Sequence, residues 1–175
     1  MKKSFVSAIG LYILVISSSV SADIADGLIA GARAVLDAAG AAHELVEVPG
    51  ALEVPVAIRL AAETGAWEDY VALGCVIRGE TTHYETVCND SSRGLMLLGV
   101  ERGLAIGNGI LTCETMAQAE ARADPGEMDK GGGAAAAALH LIALARRFRG
   151  MPGRDSAVPV DTGIMLAAAG RTRTE

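Results

Sequence analysis

The chain has 175 residues, 51% of them hydrophobic but only 3% aromatic, with 21 glycines and a formal net charge of −6. That length suits one domain with a genuine core. The acidic balance argues against a general nucleic-acid binder, which presents a basic face.

Met1-Lys-Lys, the apolar stretch 5–16 and the small residues Ser19 to Ala22 have the layout of a secretory signal. The alternative is that Leu11 to Ile16 forms the first buried strand. No segment has the length of a membrane-spanning helix. Ser21 or Asp23 can cap a helix that carries Ile24, Leu28, Ala32, Val35 and Leu36 and stops at Gly40. A short strand is predicted at 45–48. Pro49-Gly50 turns the chain into a helix that tolerates Pro55 in its first turn and runs to about Gly65.

Val71 to Ile77 is an apolar run with polar flanks, the pattern of a fully buried strand. Arg78-Gly79-Glu80 ends it. Thr82 and Glu85 have capping-box spacing, so a helix is predicted from here to about Arg102, with Val87, Ser91, Leu95 and Leu98 on its buried face. A further strand is predicted over 104–111, its glycines marking a close approach of backbone or ligand. Thr115 and Gln118 form a second capping box, opening a helix to about Arg122. Lys130-Gly-Gly-Gly133 leads into an alanine-rich helix over 134–148, and residues 149–175 read as a flexible tail. The alternation implies an α/β fold, a parallel sheet with helices on both faces.

Three predicted strand ends bring candidate chemistry to one edge: Gly50 to Glu53, Gly79 to His83, and Thr112 with Glu114. Ligands bind at this edge of open α/β sheets, and helix-start N–H groups favour an anion. His83, in a first helical turn beside such a site, has the chemistry of a proton shuttle near neutral pH; the plain alternative is a surface histidine. Arg122 and Lys130 complete a set suited to a phosphate monoester, although Arg122 also matches a helix dipole. Lys130-Gly-Gly-Gly is not a P-loop, and no G-x-S-x-G is present. Cys75, Cys88 and Cys113 lack CxxC spacing and read as small buried hydrophobes. No metal site is predicted.

Four stretches together resemble the 6,7-dimethyl-8-ribityllumazine synthase family: Val48 to Pro55, Gly74 to Glu85, Gly107 to Thr112 and Asp129 to Gly131. The likeness covers roughly residues 11–148. It implies a three-layer αβα sandwich around a four-stranded parallel sheet, with the first strand inside it. It also implies condensation of 5-amino-6-(D-ribitylamino)uracil with 3,4-dihydroxy-2-butanone 4-phosphate in riboflavin synthesis, without metal or organic cofactor. By that resemblance His83 is the general acid/base, and Glu80 and Thr81 form the phosphate-binding turn. Arg122, from a neighbouring subunit, and Lys130 hold the phosphate. Ala51, Leu52, Glu53, Cys75, Val76 and Ile77 hold the ribityl chain and pyrimidine, and Asn108 takes the place of another uracil contact.

The resemblance implies small-molecule substrates and a homo-oligomer built on pentamers, cytoplasmic, with no nucleic-acid or membrane partner. Val20 stands where the family usually places an aromatic that stacks on the uracil, and valine covers a ring without stacking on it. That departure favours one alternative to the active enzyme, a weakly active or inactive paralogue serving as a ligand-binding or structural shell; the signal-like N-terminus leaves another, an exported small-ligand binder whose signal ends near Ala22.

Overall fold

The computed structural model describes residues 12–18 and 21–150. Val20 and the stretch 151–175, read from sequence as tail, lie outside the described residues. The elements are β1 (Tyr12–Ser18), α1 (Ala22–Ala38), β2 (Ala42–Val48), α2 (Glu53–Ala62), β3 (Asp69–Ile77), α3 (His83–Arg102), β4 (Ala105–Cys113), α4 (Met116–Ala123) and α5 (Lys130–Arg149). The four strands form one parallel sheet in the order β2-β1-β3-β4.

Period-two alternation along the two inner strands builds the three layers. Ile13 and Val15 of β1, with Val71, Leu73 and Cys75 of β3, face a core shared with α1, α4 and α5. Leu14 and Ile16, with Tyr70 and Ala72, face the opposite core, closed by α2 and α3. Residues 13–18 are buried, and β1 pairs with β2 on one side and β3 on the other. From Tyr12 onward, the strand reading of this stretch is therefore the one the structure adopts. Among the described residues, no helix is long and apolar enough to cross a membrane.

The buried face of α3 is Val87, Ser91, Leu95 and Leu98, the set its periodicity predicts. The glycines of β4 mark backbone approach: a Cβ on Gly107 or Gly109 would collide with Ala134 of α5. Predicted bounds shift, α2 stopping at Ala62 rather than near Gly65 and β4 running on to Cys113, and three further details differ. β2 begins at Ala42, because its ladder with β1 runs the full length from Tyr12 to Ser18. The glycines 131–133 lie inside α5 rather than before it, because Asp129 caps that helix by accepting the Gly132 N–H at 2.9 Å. Consequently Lys130 is the first helical residue, and Arg149, assigned from sequence to the tail, is the last.

The third difference concerns the capping boxes. Thr82 occupies the N-cap position of α3, but its side chain makes no cap hydrogen bond; Glu85 turns instead to Arg78. At α4 the Thr115 hydroxyl does accept the Gln118 N–H, at 3.3 Å. The return bond shifts by one residue, with Gln118 Oε1 accepting the Glu114 N–H at 2.9 Å.

Candidate functional site

Because all four strands are parallel, their C-terminal ends share one edge. Sheet order reverses between β1 and β3, the switch point at which an open α/β sheet leaves a crevice. A cleft of about 440 Å³ lies there, lined by Gly50, Ala51, Leu52, Glu53, Cys75, Val76, His83 and Val87. The turn after β2 supplies its first wall, closed by the Glu53 N–H donating to Gly50 O at 3.2 Å. The end of β3 supplies the floor. His83, exposed and first in α3, stands at the mouth. Its N–H donates to Thr81 Oγ1 at 3.4 Å. Glu80 and Thr81 are exposed in the turn just before the helix. Since Thr82 forms no cap, its hydroxyl does not occupy the helix-start N–H groups, and an anion is a natural partner for them.

Burial pushes the Cys75 thiol up to about 12, with neighbouring Cys113 adding to the effect. Cys75 therefore lines the cleft as a neutral thiol. Ile77 closes β3, half-buried against the core on the α1 side, and does not line the cleft.

The remaining candidates open elsewhere. Asn108, Thr112, Arg122 and Lys130 line a second cleft of about 430 Å³ along the edge strand β4. Arg122 Nη1 donates to Gln118 O at 3.0 Å, and Asn108 Oδ1 accepts the Ile110 N–H at 3.0 Å. Thus a single chain sets Ala51 to Glu53, Cys75, Val76 and His83 on one cleft and Asn108, Arg122 and Lys130 on another, while Ile77, Glu80 and Thr81 line neither. Among the described residues, no group of three or more His, Cys, Asp or Glu is placed to hold a metal ion.

One residue at this edge escapes a sequence reading. Arg78, which the sequence marks only as the end of a strand, donates through Nε to Glu114 at 2.5 Å and through Nη1 to Glu85. Its guanidinium carbon lies 4.2 Å from the centroid of the Tyr84 ring. Glu114 and then Glu85 hold the guanidinium charged, and Arg78 holds the Glu85 carboxyl below its usual range. Glu114 is 36 positions away, so only the fold reveals the pairing.

The family model for 6,7-dimethyl-8-ribityllumazine synthase matches residues 10–146. A protein of that name from Jannaschia sp. (strain CCS1) is 58% identical over 125 residues, covering 71% of this chain and 70% of its own length. One from Sphingopyxis alaskensis is 55% identical over 137 residues, covering 78% and 96%. Another from Methylorubrum populi is 52% identical over 153 residues, covering 85% and 90%. Nothing in these relatives favours a shell without activity. With its three-layer parallel fold and a family match over most of its length, the chain belongs to the 6,7-dimethyl-8-ribityllumazine synthase family and is an enzyme of riboflavin biosynthesis.

Proposed function

We propose that the chain condenses 5-amino-6-(D-ribitylamino)uracil with 3,4-dihydroxy-2-butanone 4-phosphate to 6,7-dimethyl-8-ribityllumazine. The observation that carries this reading is His83, at the mouth of a cleft built from the ends of β2 and β3. In this reading the uracil amine attacks the butanone carbonyl, and loss of water gives a Schiff base. Phosphate is then eliminated, and ring closure releases a second water. His83 carries protons in both stages. Ala51, Leu52, Glu53, Cys75 and Val76, which line that cleft, seat the ribityl chain and pyrimidine, while Ile77 backs them from the core beneath. The Glu80–Thr81 turn and the start of α3 receive the phosphate.

Arg122 and Lys130 serve the site of a neighbouring copy, with Asn108 beside them, which accounts for their place in a separate cleft. Head-to-tail association joins the two half-sites and closes into a ring, here a pentamer or a multiple of it. Exposed Val56 (58%), Leu60 (62%), Leu97 (47%) and Val100 (76%) on α2 and α3 give such a ring an apolar contact surface. We place the enzyme in the cytoplasm.

The test is to mix purified protein with both substrates and follow lumazine fluorescence and phosphate release, with His83→Ala alongside. Product formed at a rate that drops in the variant supports the reading. A well-folded chain that forms none overturns it.

A further inference from the structure

We infer that Arg78 is a positioning residue for the phosphate-bearing substrate, holding the first turn of α3 and the junction between β4 and α4 in working register. The inference rests on reading the Glu80–Thr81 turn and the start of α3 as the phosphate subsite. Arg78 is anchored by its own main chain, since its N–H donates to Cys113 O at 2.9 Å, one step past the last β3–β4 pair. Its fork then spans two elements. Glu85 and Tyr84 belong to the helical turn that His83 begins, and Glu114 immediately precedes the α4 cap, Thr115.

From Glu114 the contacts continue. Its N–H donates to Gln118 Oε1 at 2.9 Å, and Arg122 Nη1 donates to Gln118 O at 3.0 Å. A continuous chain of contacts therefore runs from the His83 turn to Arg122 on the other cleft. The Arg78, Glu85 and Glu114 side chains are 38%, 47% and 55% exposed, and ion pairs so open to water add little to stability. Their geometry is the better reason for them. A planar guanidinium can engage two carboxylates while lying over an aromatic ring, and an ammonium cannot do all three.

Without Arg78, the Glu85 carboxylate in the first turn of α3 and the Glu114 carboxylate lose their counter-charge. Glu85 is also released to form the capping box with Thr82 that its spacing favours, which closes helix-start N–H groups. Both effects oppose a phosphate dianion. Neither touches the walls formed by Ala51 to Glu53.

Steady-state kinetics of Arg78→Ala and Arg78→Lys, varying each substrate in turn, test this. The expected result for Arg78→Ala is a KM for the butanone phosphate raised by about tenfold or more, with that for the uracil changed by less than about twofold. Arg78→Lys recovers only part of the loss. Equal changes in both KM values, no change in either, or full rescue by lysine overturns the inference. If Arg78→Ala does not fold, Glu114→Gln is measured in its place, and an unchanged KM for the phosphate substrate overturns the inference. Turnover by the unaltered protein tests the functional reading separately. Should it show none, calorimetric binding of inorganic phosphate decides: weaker binding by Arg78→Ala supports the role, and equal binding refutes it.

Discussion

Gly107 of β4 lies directly beneath Ala134 of α5, so close that a Cβ on the glycine would overlap the alanine carbonyl. The helix backbone rests on the strand backbone, with no side chain between them. This approach places Lys130, one turn earlier on α5, over the edge-strand cleft.

Gly107→Ala has nowhere to put its methyl group, because the obstacle is backbone. A destabilisation of about 1–3 kcal/mol or more is expected, the cost of an overpacked core. Gly133→Ala, in the same helix with nothing within 4 Å of the added Cβ, is expected to stabilise by about 0.5–1 kcal/mol. Urea unfolding of the two variants beside the parent protein checks both signs.

Replacing His83 by alanine should lower turnover by roughly 10²–10⁴-fold, the usual contribution of a general acid/base. Residual activity is expected, because orienting two bound reactants supplies up to about 7–11 kcal/mol independently of that group. Steady-state kinetics at saturating substrate measure the loss; unchanged turnover would remove His83 from the mechanism.

Division of the candidates between two clefts gives a sharper prediction. His83→Ala and Arg122→Ala proteins, each impaired alone, should regain activity when dissociated and reassembled together. Some junctions then pair an intact His83 half with an intact Arg122 half. Recovery is read as phosphate release from the mixture against the separately reassembled variants. No recovery in well-formed mixed assemblies would place both residues in a site belonging to one chain.

Asp69, fully buried at the start of β3, predicts a pH dependence of stability. Burial pushes its carboxyl up to about 7, with the Tyr70 N–H hydrogen bond opposing the rise and Glu68 adding to it. Its second oxygen has no partner among the described residues. Between about pH 4 and pH 7 the folded chain holds a proton that the unfolded chain has released. Stability therefore falls as pH rises through that window, by up to about 4 kcal/mol, and is level above it. Asp69→Asn should flatten this dependence in urea unfolding measured at several pH values.

The thiols give a chemical test of burial. Cys75 and Cys113 are buried and Cys88 is half-buried, and a thiol reacts as its thiolate. Native protein treated with iodoacetamide at pH 7 should take up at most one adduct, at Cys88, by intact mass and peptide mapping.

What the sequence made legible was local. The spacing of Val87, Ser91, Leu95 and Leu98 defined the inner face of α3, and the apolar run at 71–77 defined the central strand. His83 could be placed at a strand-to-helix junction because both flanking elements announce themselves within a few residues. Long-range features were not legible. Glu85 has the spacing of a cap partner for Thr82, yet a guanidinium held in place by β4 competes for it more strongly. Likewise, three glycines in a row look like a loose loop until α1 and Asp129 are seen to leave Gly131 and Gly132 no room for a side chain. The separation of Arg122 from His83 depends on the sheet order, which no local pattern encodes.

That order also bears on how the chain comes off the ribosome. Of the described strands, β1 is translated first, yet it needs β2 along one edge and residues 69–73 along the other. Parallel pairing cannot close through a hairpin; it waits for a whole crossover segment to be made. Until then an apolar ribbon, Ile13 to Ile16, has an open edge of the kind that recruits other strands. The first of the described strands to be translated thus has both edges covered only once residues 69–73 have appeared. Its aggregation during synthesis would be governed by the delay before residue 69 appears, a kinetic exposure that the finished enzyme no longer shows.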